Sequence, residues 1–281
     1  MKPRSGRQRR LLDHAVKLAS GAASLVGLVF LGWILFEVIA RGGKALSLGF
    51  FTREAGSPVS PGGMANAIVG TAMITALATV IGVPIGILAG TCLAEFGQRS
   101  RLATLVRFLS NTLMGVPSII IGIFVYTILV RPFQFSGFAG GVALAIIMLP
   151  VITQTTEEML NLVPNALRES ALALGAPRWK ATVGVVFRAA RGGLLTGGLL
   201  AVARVSGETA PLLFTAFNSP YWPTTLFGPT PSLTVTIYNF ASSGFQNAER
   251  IAWGGALVIT LGILCLTIVA RAALHGRTKC S

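Results

Sequence analysis

The chain is short of charge, and shortest of acid. Of 281 residues only 11% are charged, with 9 Asp and Glu against 23 Lys and Arg. Soluble globular domains carry about 25% charged residues, so a water-soluble fold is excluded. Histidine is nearly missing: His14 and His275 stand near opposite ends of the chain, with no metal-ligand neighbours in the sequence. The three cysteines, Cys92, Cys265 and Cys280, make no disulfide framework. There is no Gly-rich phosphate loop of the P-loop type, so the chain is not expected to bind a nucleotide itself. Nor are there paired carboxylates, an HExxH or a Ser/His/Asp cluster, which leaves an embedded enzyme without its chemistry.

What fills the space is apolar: 53% of the residues are hydrophobic. Six segments are long and apolar enough to cross a bilayer, at residues 20–40, 66–93, 108–130, 139–155, 192–215 and 251–271. The fold class expected is therefore an all-α, polytopic membrane protein with six transmembrane helices. The first span follows a basic leader but exceeds a cleavable signal core in length, so it reads as a retained anchor. Residues 1–17 form a basic arm, 18–63 the first span with an external loop, 64–272 the transmembrane core and 273–281 a tail.

The net charge of +14 suggests nucleic acid until its distribution is considered. With the N-terminus in the cytoplasm, the arm, the 94–107 loop, the long 156–191 loop and the tail hold most Lys and Arg. Only Arg41, Lys44, Arg53, Arg131 and Arg250 then fall outside. Six spans with both ends cytoplasmic satisfy the positive-inside rule, and topology alone accounts for the basicity. The external stretch 216–250 carries Tyr221, Trp222, Phe227 and Tyr238, which suit the aromatic belt at the membrane surface.

Two features carry functional information. The first is the polar insert 163–180, VPNALRESALALGAPRWK. Pro164 suits a helix start, Gly175 a left-handed helix end, and Pro177 a second start. Leu167, Ala171 and Leu174 fall at i, i+4 and i+7, an apolar stripe beside Arg168 and Glu169 that predicts a covering partner protein. The alternative, an amphipathic helix resting on the inner leaflet, is opposed by the acidic Glu157, Glu158 and Glu169. The second feature is ARVSGETAPL, residues 203–212, inside the fifth span. Arg204 and Glu208 are four residues apart and are expected to share a helical face and pair. An Arg at mid-bilayer costs roughly 2.5–3.5 kcal/mol on insertion scales, and such residues mark a solute path. The planar guanidinium suits an oxyanion, while Glu208 holds Arg204 in place when no solute is bound, weakens the binding enough for release and can accept a hydrogen bond from a protonated oxyanion such as hydrogenphosphate. Interior Gly and Pro at Gly82–Pro84, Gly115–Pro117, Pro150 and Gly207–Pro211 point, together, to broken helices lining such a path.

Glu169-Ser170-Ala171, three residues and Gly175 resemble the EAA loop of bacterial ABC-importer permeases. Ser170, Val185 and Arg188 stand where that pattern has Ala, Ile and Pro. The run 148–182, with NAIVGT at 66–71, GVPSIIIG at 115–122 and RVSGETAPL at 204–212, is similar to the A-type permeases of phosphate-specific importers, the PstA family. That resemblance implies a type I ABC-importer permease that is not itself an enzyme. It implies a homologous C-type permease, two cytoplasmic ATPase subunits carrying ATP and Mg, and an external phosphate-binding protein as partners. No cofactor is implied on this chain. Arg168, Glu169, Ala171, Leu174, Gly175 and Ala176 then belong to the ATPase-coupling helix, and Arg204, Glu208 and Thr209 to the phosphate path. Permeases for sulfate, molybdate or phosphonate share the loop and stay open as alternatives. An ATP-independent secondary transporter would need more intramembrane carboxylates than Glu208.

Overall fold

The structure, a computed structural model, describes residues 6–97 and 100–275; of the helix ends 6–11 and 270–275 only the backbone is described. Arg99, residues 1–5 of the basic arm, and 276–281 of the expected tail, with Arg277, Lys279 and Cys280, lie outside the described residues. Everything regular that is described is helical, apart from one isolated bridge between Gly56 and Pro61.

Helix α1 (Gly6–Gly43) runs without interruption across the expected boundary between arm and first span at residue 17. The short α2 (Leu48–Thr52) follows, capped by the Ser47 hydroxyl, which accepts from the Phe50 N–H. Helix α3 (Ala65–Thr91) continues into a π-helical turn, Cys92–Phe96. The third span is then made by α4 (Arg101–Gly115) and α5 (Ser118–Val125), the latter prolonged by a π-helical turn, Tyr126–Val130, and α6 (Arg131–Phe133). Helix α7 (Gly137–Asn161) forms the fourth span. Next come α8 (Asn165–Ala173) and α9 (Arg178–Ala181), the π-helical turn Thr182–Val186, and α10 (Phe187–Ser206). Helices α11 (Ala210–Thr215), α12 (Leu233–Ala241) and α13 (Gln246–His275) complete the chain. Among the described residues, five helices are long and apolar enough to cross a membrane, and six if α4 with α5–α6 counts as one bent span.

Packing is organised on α3 and α7, which run parallel through the centre of the bundle. Gly82, Gly86 and Gly90 recur every fourth residue, so one face of α3 carries no side chains and the two backbones close together. A Cβ at Gly86 would lie 2.7 Å from the Ile152 side chain, and one at Gly90 would lie 2.4 Å from the Thr153 carbonyl oxygen. Around this contact Ile74, Leu144, Met148, Ile152, Val205 and Leu212 form the main buried cluster. Exposed apolar side chains such as Leu28, Phe30 and Trp33 line most of α1, as expected of a helix bathed in lipid.

At the end of the bundle opposite α8, buried Asn66 ties the loops together. Its Oδ1 accepts from the Ala55 N–H at 2.9 Å, and its Nδ2 donates to the Pro220 carbonyl at 3.0 Å. The NAIVGT motif thus opens on the residue that joins segment 53–64 to segment 216–232.

Several expected spans need correcting. Residues 108–130 are not one helix: α4 and α5 meet at a bend of 104°. Pro117 offers no N–H and forces Val116 into the extended region (ψ 129), so the helix stops at Gly115. Residues 192–215 are likewise not one span, because the helix begins at Arg178 and ends at Ser206. Within the internal stretch 156–191, α7 reaches Asn161, α8 covers Asn165–Ala173 and the chain is helical again from Arg178. Arg188, standing where the EAA pattern has Pro, lies within this helix, which retains the N–H that a proline would delete. Pro84 and Pro150 do not break their helices.

Candidate functional site: an intramembrane cavity and a helical insert

The two breaks that do form face each other. A cavity of about 240 Å³ is lined by Leu113, Met114, Val116, Pro117 and Ser118 from the bend of the third span. Ile121, Ile147 and Val151 supply apolar wall, and Arg204 and Glu208 bring charge from the fifth span. Arg204 sits in the last turn of α10, and Gly207 caps that helix. Glu208 therefore lies in the turn before α11, where its N–H donates to the Val205 carbonyl at 3.1 Å and its own carbonyl accepts from the Thr234 hydroxyl at 2.9 Å.

The expected helical Arg204–Glu208 ion pair is not formed. The i, i+4 argument assumes that the three residues between the partners are helical, and the helix ends after two of them. Among the described residues neither side chain has an ion pair or hydrogen bond. Both still border one cavity, so the residues are brought together as lining rather than as a closed pair. Thr209 is not among the lining residues; it precedes α11, and its carbonyl accepts from the N–H groups of Leu212 and Leu213.

The start of α5 opens on the same space through Ser118. Free N–H groups and the positive end of the helix dipole favour an anion at such a terminus. The sequence signal for it is Gly115–Pro117, read there together with Gly82–Pro84, Pro150 and Gly207–Pro211; the sequence does not separate the prolines that break a helix from those that do not. Contact between the broken spans is close: a Cβ at Gly122 of α5 would lie 2.7 Å from Pro211 Cα in α11.

At the far end of α10 lies the insert. Helix α8 begins after Pro164 and ends in a Schellman motif. The Gly175 N–H donates to the Leu172 carbonyl at 2.9 Å and the Ala176 N–H to the Ala171 carbonyl at 3.1 Å. Gly175 adopts φ +84, which an L side chain adopts only with strain. Pro177 then starts α9. These elements follow the turn chemistry of the sequence.

The expected apolar stripe is redrawn. Ala171 is buried against the chain itself, and Leu174 lies beyond the last helical residue, so the i, i+4, i+7 face does not exist. What stands out from the insert is Leu167, Leu172, Leu174 (89% exposed) and Trp179, with Glu169 on the exposed surface. Arg168 does not join this exposed surface. It points inward and bonds to Glu95 (2.8 Å) and to the carbonyls of Leu160 and Val163 (2.6 and 2.5 Å). A second arginine, Arg107 of α4, pairs with Glu157 at 2.6 Å and donates to the Leu93 carbonyl at 3.2 Å. Neither pairing is readable in the sequence, because partners 50 and 73 residues apart leave no local pattern.

Comparisons with known proteins identify the family and the fold. Residues 82–275 match the model of the family described as the binding-protein-dependent transport system inner membrane component. The chain is 47% identical over 272 residues to the phosphate transport system permease protein PstA of Pasteurella multocida, covering 96% of this chain and 97% of that one. It is 35% identical to the probable PstA of Methanocaldococcus jannaschii, with 96% of each chain covered. Among solved structures, a chain of a bacterial alginate ABC transporter superposes with a TM-score of 0.65 at 16% identity, over 94% of this chain and 93% of that one. A chain of the MetNI methionine ABC transporter, inward facing, gives 0.59 at 17% identity, over 75% and 92%. At such identities these two speak for the fold only.

Proposed function

The chain belongs to the family of binding-protein-dependent transport inner membrane components, within it to the PstA permeases, and from that premise we infer its task. It is the permease subunit of an ABC importer for inorganic phosphate, a multi-pass inner-membrane protein that is not itself an enzyme. ATP hydrolysis belongs to partner subunits. In the proposed assembly it pairs with a homologous C-type permease, two ATPases carry ATP and Mg at the end where α8 lies, and an external binding protein delivers phosphate to the other end. Both termini then face the cytoplasm. This chain holds no cofactor of its own.

The observation that carries the reading of the path is the meeting of the two broken spans around Arg204 and Glu208. Arg204 supplies a permanent positive charge to this space, where an oxyanion is held by charge and by a planar fork of donors. Glu208, held off Arg204 by the break at Gly207, can accept a hydrogen bond from hydrogenphosphate; fully ionised sulfate has no proton to give. The same charge limits the affinity, so the anion leaves. At the opposite end, Leu167, Leu172, Leu174 and Trp179 supply the apolar surface on which an ATPase docks, with Glu169 beside it.

The test is uptake of labelled phosphate by the complete importer in proteoliposomes, with sulfate, molybdate and phosphonate as competitors. Phosphate alone should compete strongly, Arg204→Ala should abolish uptake, and Glu208→Gln should reduce discrimination against sulfate. Equal competition by sulfate would move the substrate assignment to another oxyanion. Unaltered uptake in both variants would remove the cavity from the path.

A further inference from the structure

The insert is tied by charged contacts to the ends of the two central helices, and these in turn to α4, which borders the cavity. Helix α8 touches little of its own subunit besides α9 and the π-helical turn Thr182–Val186. Its firmest attachment is Arg168, whose side chain is 17% exposed against 11% for its partner Glu95. Glu95 lies in the π-helical turn that ends α3, and Leu160 and Val163, whose carbonyls Arg168 also binds, lie at the end of α7 and in the loop after it. One guanidinium thus binds the insert to both central helices at once. The same π-helical turn is gripped from the other side. Arg107 of α4 donates to the Leu93 carbonyl and pairs with Glu157 of α7. Two residue positions along, Glu95 holds Arg168. Helix α4 then runs from this grip to the bend, where Leu113 and Met114 are walls of the Arg204 cavity.

We propose that Arg168–Glu95 and Arg107–Glu157 are the coupling relay of this subunit: through the turn Cys92–Phe96 they link displacement of α8 to α4, and so to the shape of the Arg204 cavity. The proposal rests on the reading that α8 is where the ATPase docks. All four residues are positioning residues, and none touches solute. A ridge of apolar contacts alone would let α8 slide over the ends of α3 and α7. Bonds from charged groups with little water around them have a preferred geometry and resist such sliding. The bend at Val116–Pro117 is the element able to take two arrangements, because no helical hydrogen bonds run through it.

The relay is tested on the complete importer in proteoliposomes. Glu95→Gln keeps an oxygen facing Arg168 and removes the charge, so the fold is retained while the hold is loosened. Phosphate moved per ATP hydrolysed should fall at least about fivefold, with complex assembly and basal hydrolysis unchanged. Arg107→Lys, which loses the fork geometry, should do the same. Combining the two should cost less than the product of their separate effects, since one path is cut twice. A second readout is a cysteine at Met114, in a chain whose three cysteines are replaced by serine. Its labelling rate should change on trapping the ATP-bound state, and that change should vanish with Glu95→Gln. Normal coupling in Glu95→Gln and Arg107→Lys, or multiplicative effects, would overturn the relay. Leu174→Asp separates the two ideas: assembly that survives it removes the docking reading itself, whereas lost assembly with normal coupling in Glu95→Gln removes only the relay.

Discussion

Replacing Gly175 isolates the contribution of one backbone angle. Gly175 ends α8 at φ +84, and a Cβ built there meets nothing within 4 Å. Substitution therefore strains the backbone without crowding any neighbour. An L residue forced into the left-handed region pays about 1–2 kcal/mol. Asparagine visits that region more readily and should cost less than alanine, and a β-branched valine should cost most. If the ATPase binds only the capped form of α8, a cost of 1–2 kcal/mol lowers the competent fraction, and apparent affinity falls about 5- to 30-fold. The measurement is titration of the permease, in detergent or nanodiscs, with the ATPase subunit, comparing Gly175→Asn, Gly175→Ala and Gly175→Val. The expected order of affinity is Gly, Asn, Ala, Val, with thermal stability of the membrane core nearly unchanged because the site is at an exposed turn. Valine binding as tightly as glycine would refute the claim that the Schellman ending sets the docking geometry. Asparagine as damaging as valine would show that side-chain bulk, not φ, is what the partner senses.

Three further perturbations probe the scaffold and the path. Asn66→Ala strands the Ala55 N–H and three carbonyls that the amide now serves; thermal unfolding should show a loss of about 1–3 kcal/mol or more, and cleavage by added protease should rise in segments 53–64 and 216–232. Gly90→Ala puts a methyl group 2.4 Å from the Thr153 carbonyl and should cost about 1–3 kcal/mol through separation of α3 from α7, whereas Gly27→Ala, with nothing within 4 Å, should leave the melting temperature unmoved. Gly122→Ala drives α5 away from Pro211, so it should lower phosphate uptake more than it lowers stability; the reverse outcome would mean that the contact between the broken spans is structural only.

Much of this was legible in the sequence for physical reasons that differ from place to place. The spans follow from apolar runs, and the cap at Gly175 from local turn chemistry, both of which are short-range properties. The failures concern residues whose role is set by distant neighbours. Arg168 reads as an exposed coupling residue until Glu95, 73 residues away, is placed beside it. Leu167, Ala171 and Leu174 read as a stripe until the helix ends at Ala173 and Ala171 is covered. Arg204 and Glu208 read as a helical pair because spacing cannot reveal that Gly207 stops the helix between them. The glycines of α3 were visible one by one, but their common face required the partner helix to give it meaning.

Why some prolines interrupt a span and others do not bears directly on where a solute can pass. Pro84 is on the outward side of α3, while Gly82, Gly86 and Gly90 press the other side onto α7. That contact holds the helix straight across the missing hydrogen bond, and Pro150 is buried within α7 in the same packed region. Pro117 follows Gly115, which contributes no side chain to hold the turn and whose own Cβ position meets nothing within 4 Å. Gly207 lacks similar support, with the nearest side-chain atom 3.6 Å from its Cβ position. Where packing does not enforce the helix, the chain leaves it, and backbone donors and acceptors are released at membrane depth. Such groups are tolerated only against protein or water. Two releases on facing spans therefore leave a partly polar space between them, and Arg204 and Glu208 border it. On the proposed reading, the path lies where the central glycine contact does not cover the spans. Tightening the bend by Gly115→Ala, which restores a helix-forming residue without altering any charge, should consequently slow uptake while leaving the ATPase docked; unchanged uptake would show that the break is not part of the gate.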